Sequence, residues 1–308
     1  MRQYVAALFG GALLFVTLLS GLLLLLERSG VLPPPQFANS LCLDEKLSFM
    51  RENQPRNVNL LVIGSSEAWR SFNSPEAVSS DPSLRPYNAG LCGKNIAQSA
   101  QVVSWLISRV PSVQSVLVII APGDLEGCST SSHSSFNLQD VDQFVFGKRS
   151  KLIYYFKYFD ANTLVRNIIG LSQYRRVTTS FNSLYINKFG DGPLDPTGSR
   201  GLLYGDPDLD DQCFAEFGRV AHLLRRRNIR LVVAEAPTNP AWKIRYDPTS
   251  SKSTMINQRI NDALRGSKAV FIKAGDLPEK AFFDAYHIRW SYTPQFTRAL
   301  LKKMNQAS

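Results

Sequence analysis

A short apolar run, Leu60-Leu61-Val62-Ile63, stops abruptly at Gly64-Ser65-Ser66-Glu67, and most of the chain separates it from Asp284-Ala285-Tyr286-His287. The first reads as a buried strand ending in a serine, the second as an Asp-x-x-His just ahead of a last helix. A serine hydroxyl is a poor nucleophile until a base takes its proton, and that base needs a third group to set its tautomer. At this spacing the Asp284 carboxylate can reach Nδ1 of His287 and leave Nε2 to face a serine. Of the three histidines, His133 sits in a Ser-rich loop and His222 in an Arg-rich helical segment, so His287 is the one beside a suitable acid. Taken singly, Gly-Ser-Ser arises by chance, and Asp284 could simply cap a helix ahead of a buried histidine. Together they demand a fold that makes its first and last elements neighbours.

The runs between them have that character. Residues 59–63 and 116–120 read as strands covered on both faces, and 230–234 and 269–272 as further strands. Residues 96–110 have helical spacing and stop at Pro111, 214–227 form an amphipathic helix, and 293–304 close the chain as a helix. Strands alternating with helices predict an α/β three-layer sandwich with a mostly parallel sheet. Residues 59–308 then form one domain, interrupted at about 129–211. A segment that long carries function or structure of its own; here it is expected to be helical around 152–171 and to lie over the sheet's ligand-binding edge.

Residues 4–26 carry no charge and are dominated by Leu, Val, Ala and Phe. As a helix they reach roughly 34 Å, enough to cross a hydrocarbon core of roughly 30 Å. A cleavable signal has an apolar region of only about 7–15 residues and a small-residue cleavage site. This run is longer and passes straight into Glu27-Arg28, so residues 1–28 read as an uncleaved transmembrane anchor. Arg2 on the short side places the N-terminus in the cytoplasm and the body outside. Residues 29–58, with Pro33-Pro34-Pro35, read as a stiff spacer holding the body off the bilayer.

The net charge of +10 falls by only one without Arg2, Glu27 and Arg28, so the body itself is basic. Arg175-Arg176 and Arg225-Arg226-Arg227 read as solvated helix faces. They could also attract anionic lipid or an anionic envelope polymer. The anchor and the absence of a binding motif argue against nucleic acid. The four cysteines, Cys42, Cys92, Cys128 and Cys213, lack zinc-site spacing and permit two disulfides in an exported body. Cys92 and Cys128, placed at the same sheet edge, are the first pair to join.

Three blocks now stand together. Gly64-Ser65-Ser66 matches a Gly-Asp-Ser block with Ser in the middle, Asn88-Ala89-Gly90-Leu91-Cys92-Gly93 approximates an Asn-Ala-x-x-x-Gly-like block, and Asp284-Ala285-Tyr286-His287 is the last. In these the chain resembles the SGNH (GDSL-like) hydrolase superfamily over residues 59–304. The Gly-Ser-Ser-Glu variant and the anchor look most like envelope-polymer acylation proteins, such as the accessory protein of lipoteichoic acid D-alanylation and the alginate O-acetylation proteins. The resemblance implies a flavodoxin-like sheet, Ser66 as nucleophile, His287 as base and Asp284 as its orienting acid. It places the backbone N–H groups of Ser66 and Gly93 in an oxyanion hole, and calls for no metal or organic cofactor. It also implies an acylated carbohydrate or envelope polymer as substrate and a membrane-bound acyl donor as partner.

One departure stands out. The third block should read Gly-x-Asn-Asp after the strand ending at Ile120, and here it is Ala121-Pro122-Gly123-Asp124. Gly123 stands where the oxyanion-hole Asn should be, a loss on the order of 10²–10³ in rate. Asn95, close to Gly93, is the substitute donor the sequence offers. Arg70 and Asn239 are placed toward the substrate, while Glu67 reads as a helix N-terminal acid favoured by the dipole. Simple ester hydrolysis is the alternative within enzymes, and a non-catalytic binding or scaffold protein the alternative outside them.

Overall fold

In a computed structural model, which describes residues 1–131, 135–175 (backbone only at 174 and 175), 184–196, 198–199, 201–273 and 275–307, the apolar runs become the strands of one parallel sheet. His133, Arg176 and the Arg175 side chain lie outside that description. After helix α1 (Arg2–Arg28) and α2 (Leu41–Glu52) come β1 (Leu60–Gly64), α3 (Ser66–Ser71), α4 (Ser74–Ser80), β2 (Pro86–Asn88), α5 (Ile96–Arg109) and β3 (Ser115–Ile120). Helices α6 (Leu138–Val145), α7 (Lys151–Lys157) and α8 (Ala161–Arg175) follow. The chain continues through α9 (Asp211–Arg226), β4 (Arg230–Glu235), α10 (Pro240–Tyr246), α11 (Ser251–Leu264), β5 (Val270–Lys273) and α12 (Thr293–Gln306).

Alternation along each strand divides the apolar residues between two cores. Leu61, Ile63, Val116, Val118, Leu231 and Val233 face α5, α9 and α11 on one side. Leu60, Val62, Leu117, Ile119, Val232 and Ala234 face α3 and α12 on the other. Because both faces are covered, the strands read as continuous apolar runs. The strand order is β2-β1-β3-β4-β5, every neighbouring pair parallel. The order reverses direction between β1 and β3, and open α/β sheets bind ligands at the carboxyl ends of strands at such a switch point.

The 129–211 segment divides in two. Its helical part, α6 to α8, packs beside α2 and α1: Phe37 meets Phe144 and Tyr154, and Leu19 and Leu23 of α1 pack on Tyr155. Its apolar side chains pack on Phe37, α2 and α1, and none of them lines the cleft at the carboxyl ends of the strands. The Gly/Pro/Asp-rich half runs along that edge. Asp191 accepts hydrogen bonds from Ser74 and Asn88, and Gly192 donates its N–H to Trp69 O at 2.9 Å. Pro33, Pro34 and Pro35 are buried against the insertion instead of standing free, with Tyr155 Oη donating to Pro33 O at 2.6 Å.

The disulfides join Cys42 to Cys92 and Cys128 to Cys213, with Cα separations of 6.3 and 5.3 Å. The expected Cys92–Cys128 pair does not form. Strand β1 lies between β2 and β3, so the loops leaving those two strands are not neighbours. Cys92 meets the start of α2 instead, and Cys128 meets α9. His222, Arg225 and Arg226 of α9 and the capping Arg227 are exposed, and cations at a helix C-terminus also suit the dipole.

Candidate active site

A sharp turn from β1 into α3 sets the nucleophile candidate. Gly64 has φ +147°, and a Cβ there would lie 2.2 Å from Ile119 O and 2.7 Å from the Ala68 methyl, so only glycine passes this bend beside β3. Ser65 caps α3, its Oγ accepting from Glu67 N–H at 3.3 Å. It is buried and turned toward Asp124, whose Oδ2 lies 3.0 Å away. Ser66, one residue on, is partly exposed and lines a cleft of about 520 Å³ with Glu67, Gly93, Gly123, Tyr204 and His287.

The Asp-x-x-His unit arrives from the far end of the chain. It is a tight bend ahead of α12, closed by an antiparallel bridge between Phe282 and Ile288, and not a helical turn. Asp284 Oδ1 accepts the backbone N–H groups of Tyr286 (3.1 Å) and His287 (2.9 Å), which folds the loop back on itself. That brings His287 Nδ1 within 2.8 Å of Asp284 Oδ2. Tyr204 Oη donates to the same carboxylate at 2.7 Å and stacks on Tyr286 with ring centroids 5.7 Å apart. Burial by itself would raise the Asp284 carboxyl. Hydrogen bonds from His287 and Tyr204, with the ring's charge, outweigh it and bring the pKa down to about 2.

A pKa below the ordinary 3.8 means that stability from Asp284 is present above about pH 4 and is lost as pH falls toward about 2. Urea unfolding of wild type and Asp284→Asn is therefore expected to show a stability gap that narrows by about 2 kcal/mol between about pH 5 and pH 2. A gap that holds constant over that range would contradict the assignment.

Ser66 and His287 share the cleft but are not hydrogen-bonded to each other. The Ser66 hydroxyl donates to Glu67 Oε2 at 3.3 Å. His287 Nε2 is buried without a hydrogen-bond partner, and lies 3.6 Å from Glu67 Oε1. Glu67 also meets the Ser65 hydroxyl through Oε2. One hydroxyl proton cannot serve both Glu67 and Asp124, which fits a protonated Asp124. Burial first, and then the Glu67 charge, push the Asp124 carboxyl well above the usual range.

Gly93 has φ +62° and lies on the cleft wall, with nothing within 4 Å of where a Cβ would point. Asn95 is close by, but its amide is engaged. Its oxygen caps α5 by accepting from Gln98 N–H, and its NH₂ donates to Glu126 O (3.2 Å) and Ser131 Oγ (2.8 Å). Arg70 is buried, stacked 4.3 Å over the Trp69 ring and reaching Gly192 O, and it does not line the cleft. Asn239 is not on the cleft wall either: it caps α10 and donates to Asp284 O at 3.2 Å, clamping the histidine loop. Both were placed toward the substrate by sequence position, which fixes the sheet edge but not which way a side chain turns.

Three neighbours of the Ser65, Ser66 and Asp284 side chains leave no distinctive mark in the sequence. Glu67 had a sufficient local explanation in the helix dipole. Asp124 lies in the Ala121-Pro122-Gly123-Asp124 block, and nothing in that block signals that it meets Ser65. Tyr204 lies 80 residues from Asp284 in the chain, with no motif around it.

No protein-family model and no curated protein matches the chain. Among solved structures it is similar to a carbohydrate acetylesterase family member from Sinorhizobium meliloti, with 12% identity and TM-score 0.37 over 81% of this chain and 98% of that one. It is also similar to Est24, a carbohydrate acetylesterase from the same organism, with 9% identity and TM-score 0.38 over 82% and 100% of the two chains. Likeness at this level decides nothing about chemistry, which rests on the site's own geometry.

Proposed function

We propose that this chain is a membrane-anchored SGNH-like enzyme that transfers or hydrolyses ester-linked acyl groups on a carbohydrate or cell-envelope polymer. The observation that carries the reading is the Asp284–His287 pair, with Nδ1 held by the carboxylate and a buried, unpartnered Nε2 on the wall of the cleft that Ser66 lines. In this mechanism Ser66 Oγ attacks the acyl carbonyl carbon and its proton passes to His287 Nε2. The C=O electron pair moves onto the carbonyl oxygen, met by the backbone N–H groups of Ser66 and Gly93. Collapse of that intermediate breaks the ester bond, and His287 returns the proton to the departing alcohol oxygen. Water or a sugar hydroxyl then releases the acyl group by the same steps in reverse. Asp284 holds the ring's tautomer throughout, and Tyr204 holds Asp284.

Helix α1 is long and apolar enough to cross a membrane. Two disulfides suit a body on the oxidising side of it. A membrane-bound acyl donor would fit this placement. The second reading, a non-catalytic scaffold, is favoured by one observation: Gly123 offers no side-chain donor where the third block carries Asn.

A fluorophosphonate probe decides between them, because it reports an activated serine without needing the natural substrate. The full chain in detergent is expected to label, and Ser66→Ala to lose the label. An unlabelled wild type, or equal labelling of both proteins, would sink the enzymatic reading. Acyl release with and without a polymer acceptor then separates transferase from hydrolase.

A further inference from the structure

Both ring nitrogens of His287 face carboxylates. Asp284 takes Nδ1 at 2.8 Å, and Glu67 Oε1 lies 3.6 Å from Nε2. The second contact has no place in a simple triad, where Nε2 would face the serine. Glu67 is also far more buried than dipole complementation at a helix start requires, at 6% exposure. Its other oxygen holds the Ser66 hydroxyl, so the carboxylate stands between nucleophile and base.

If the ring is neutral and donates its Nδ1–H to Asp284 as a hydrogen bond, Nε2 presents a lone pair. Opposite that lone pair lies the Glu67 carboxylate, which when ionised also presents only lone pairs. A proton between the two atoms turns this repulsion into attraction. With that proton on Nε2, Glu67 is the carboxylate placed to face it, since Asp124 is engaged with Ser65 and with the Ala121 N–H at 2.9 Å. The other charged or titratable groups around the cleft are Tyr286 on the histidine's own loop, Glu126 after β3, Tyr204 from the insertion and Lys94 after β2. Lys94 donates to Ser135 at 2.6 Å.

We propose that Glu67 is a second positioning carboxylate for His287, holding a proton on Nε2 in the resting site and so setting the pH at which the ring can accept the Ser66 proton. As pH rises the Nε2 proton leaves to solvent, the ring becomes neutral, and Ser66 can transfer its proton there when it attacks. The proposal rests on the roles given above to Ser66 and His287.

The test follows His287 directly by NMR, in full-length protein labelled with isotopic histidine and held in detergent micelles, with His287→Gln identifying the signal. Glu67→Gln removes the charge and keeps the size. The titration midpoint of His287 is expected to fall by about one pH unit or more, within the range an opposite charge at this distance produces. The acid limb of fluorophosphonate labelling should move down with it. An unmoved midpoint overturns the proposal, and so does a moved midpoint with an unmoved labelling limb. If Glu67→Gln does not fold, Glu67→Asp, which draws the carboxylate back from the ring, is read in the same way. A wild type that never labels would defeat the enzymatic reading alone, because the NMR midpoint still decides whether Glu67 holds the proton.

Discussion

His287→Ala is expected to lower turnover of an activated acetyl ester by roughly 10⁴–10⁶-fold, with Ser66, Asp284 and His287 acting as a unit. Without the ring, Ser66 keeps its hydrogen bond to Glu67 Oε2, at 3.3 Å. A carboxylate there can hold the hydroxyl, but it is a weaker base than the imidazole and does not take the proton as Oγ attacks. In the proposed mechanism the three groups act together, so Asp284→Asn added to His287→Ala should cost little more, whereas Asp284→Asn alone should cost less than His287→Ala. Initial rates of p-nitrophenyl acetate hydrolysis by full-length protein and the three variants measure this. A loss smaller than about tenfold in His287→Ala would leave the ring without a role as base.

Gly123→Asn is expected to raise the same rate, by about 10- to 100-fold, since a single oxyanion-hole donor is worth on the order of 10²–10³. The site has room for the change. Gly123 lies in the single turn Pro122–Leu125 at the end of β3 and is not among the positive-φ residues, so an L side chain needs no backbone strain. A Cβ at this position meets only the Tyr286 ring, at 3.6 Å, an ordinary contact. Gly123→Ala is the control, adding the Cβ without the donor. If Gly123→Asn is no faster than Gly123→Ala, the oxyanion forms elsewhere, or the chain does not stabilise one through this turn.

How legible the site was depended on how local each cause is. The strand at 60–63 followed from an unbroken apolar run, and its abrupt end at Gly64 from a bend that admits no Cβ. Asp284 and His287 are three residues apart, so their contact was readable from spacing. The folded loop makes it through two backbone N–H bonds to Asp284, however, and not through a helix. Longer-range causes left weaker traces. Glu67 satisfies a local rule at a helix start, and that rule hid the carboxylate's reach to a histidine 220 positions later. Placement at one sheet edge pairs Cys92 with Cys128, but the strand order puts β1 between the loops that carry them.

By itself the sequence determined the class of the fold, the existence of a long apolar helix and the residue types able to do acyl chemistry. Each of these depends on runs, periods and spacings within a few residues. Only the tertiary structure decided which side chains turn into the cleft. It buried Arg70 over Trp69, spent Asn239 on the backbone of Asp284, and brought Tyr204 out of the insertion to the same carboxylate. The physical reason is that a side chain's direction at a sheet edge is set by loops that pack against it from elsewhere in the chain, and these leave no periodic mark in sequence.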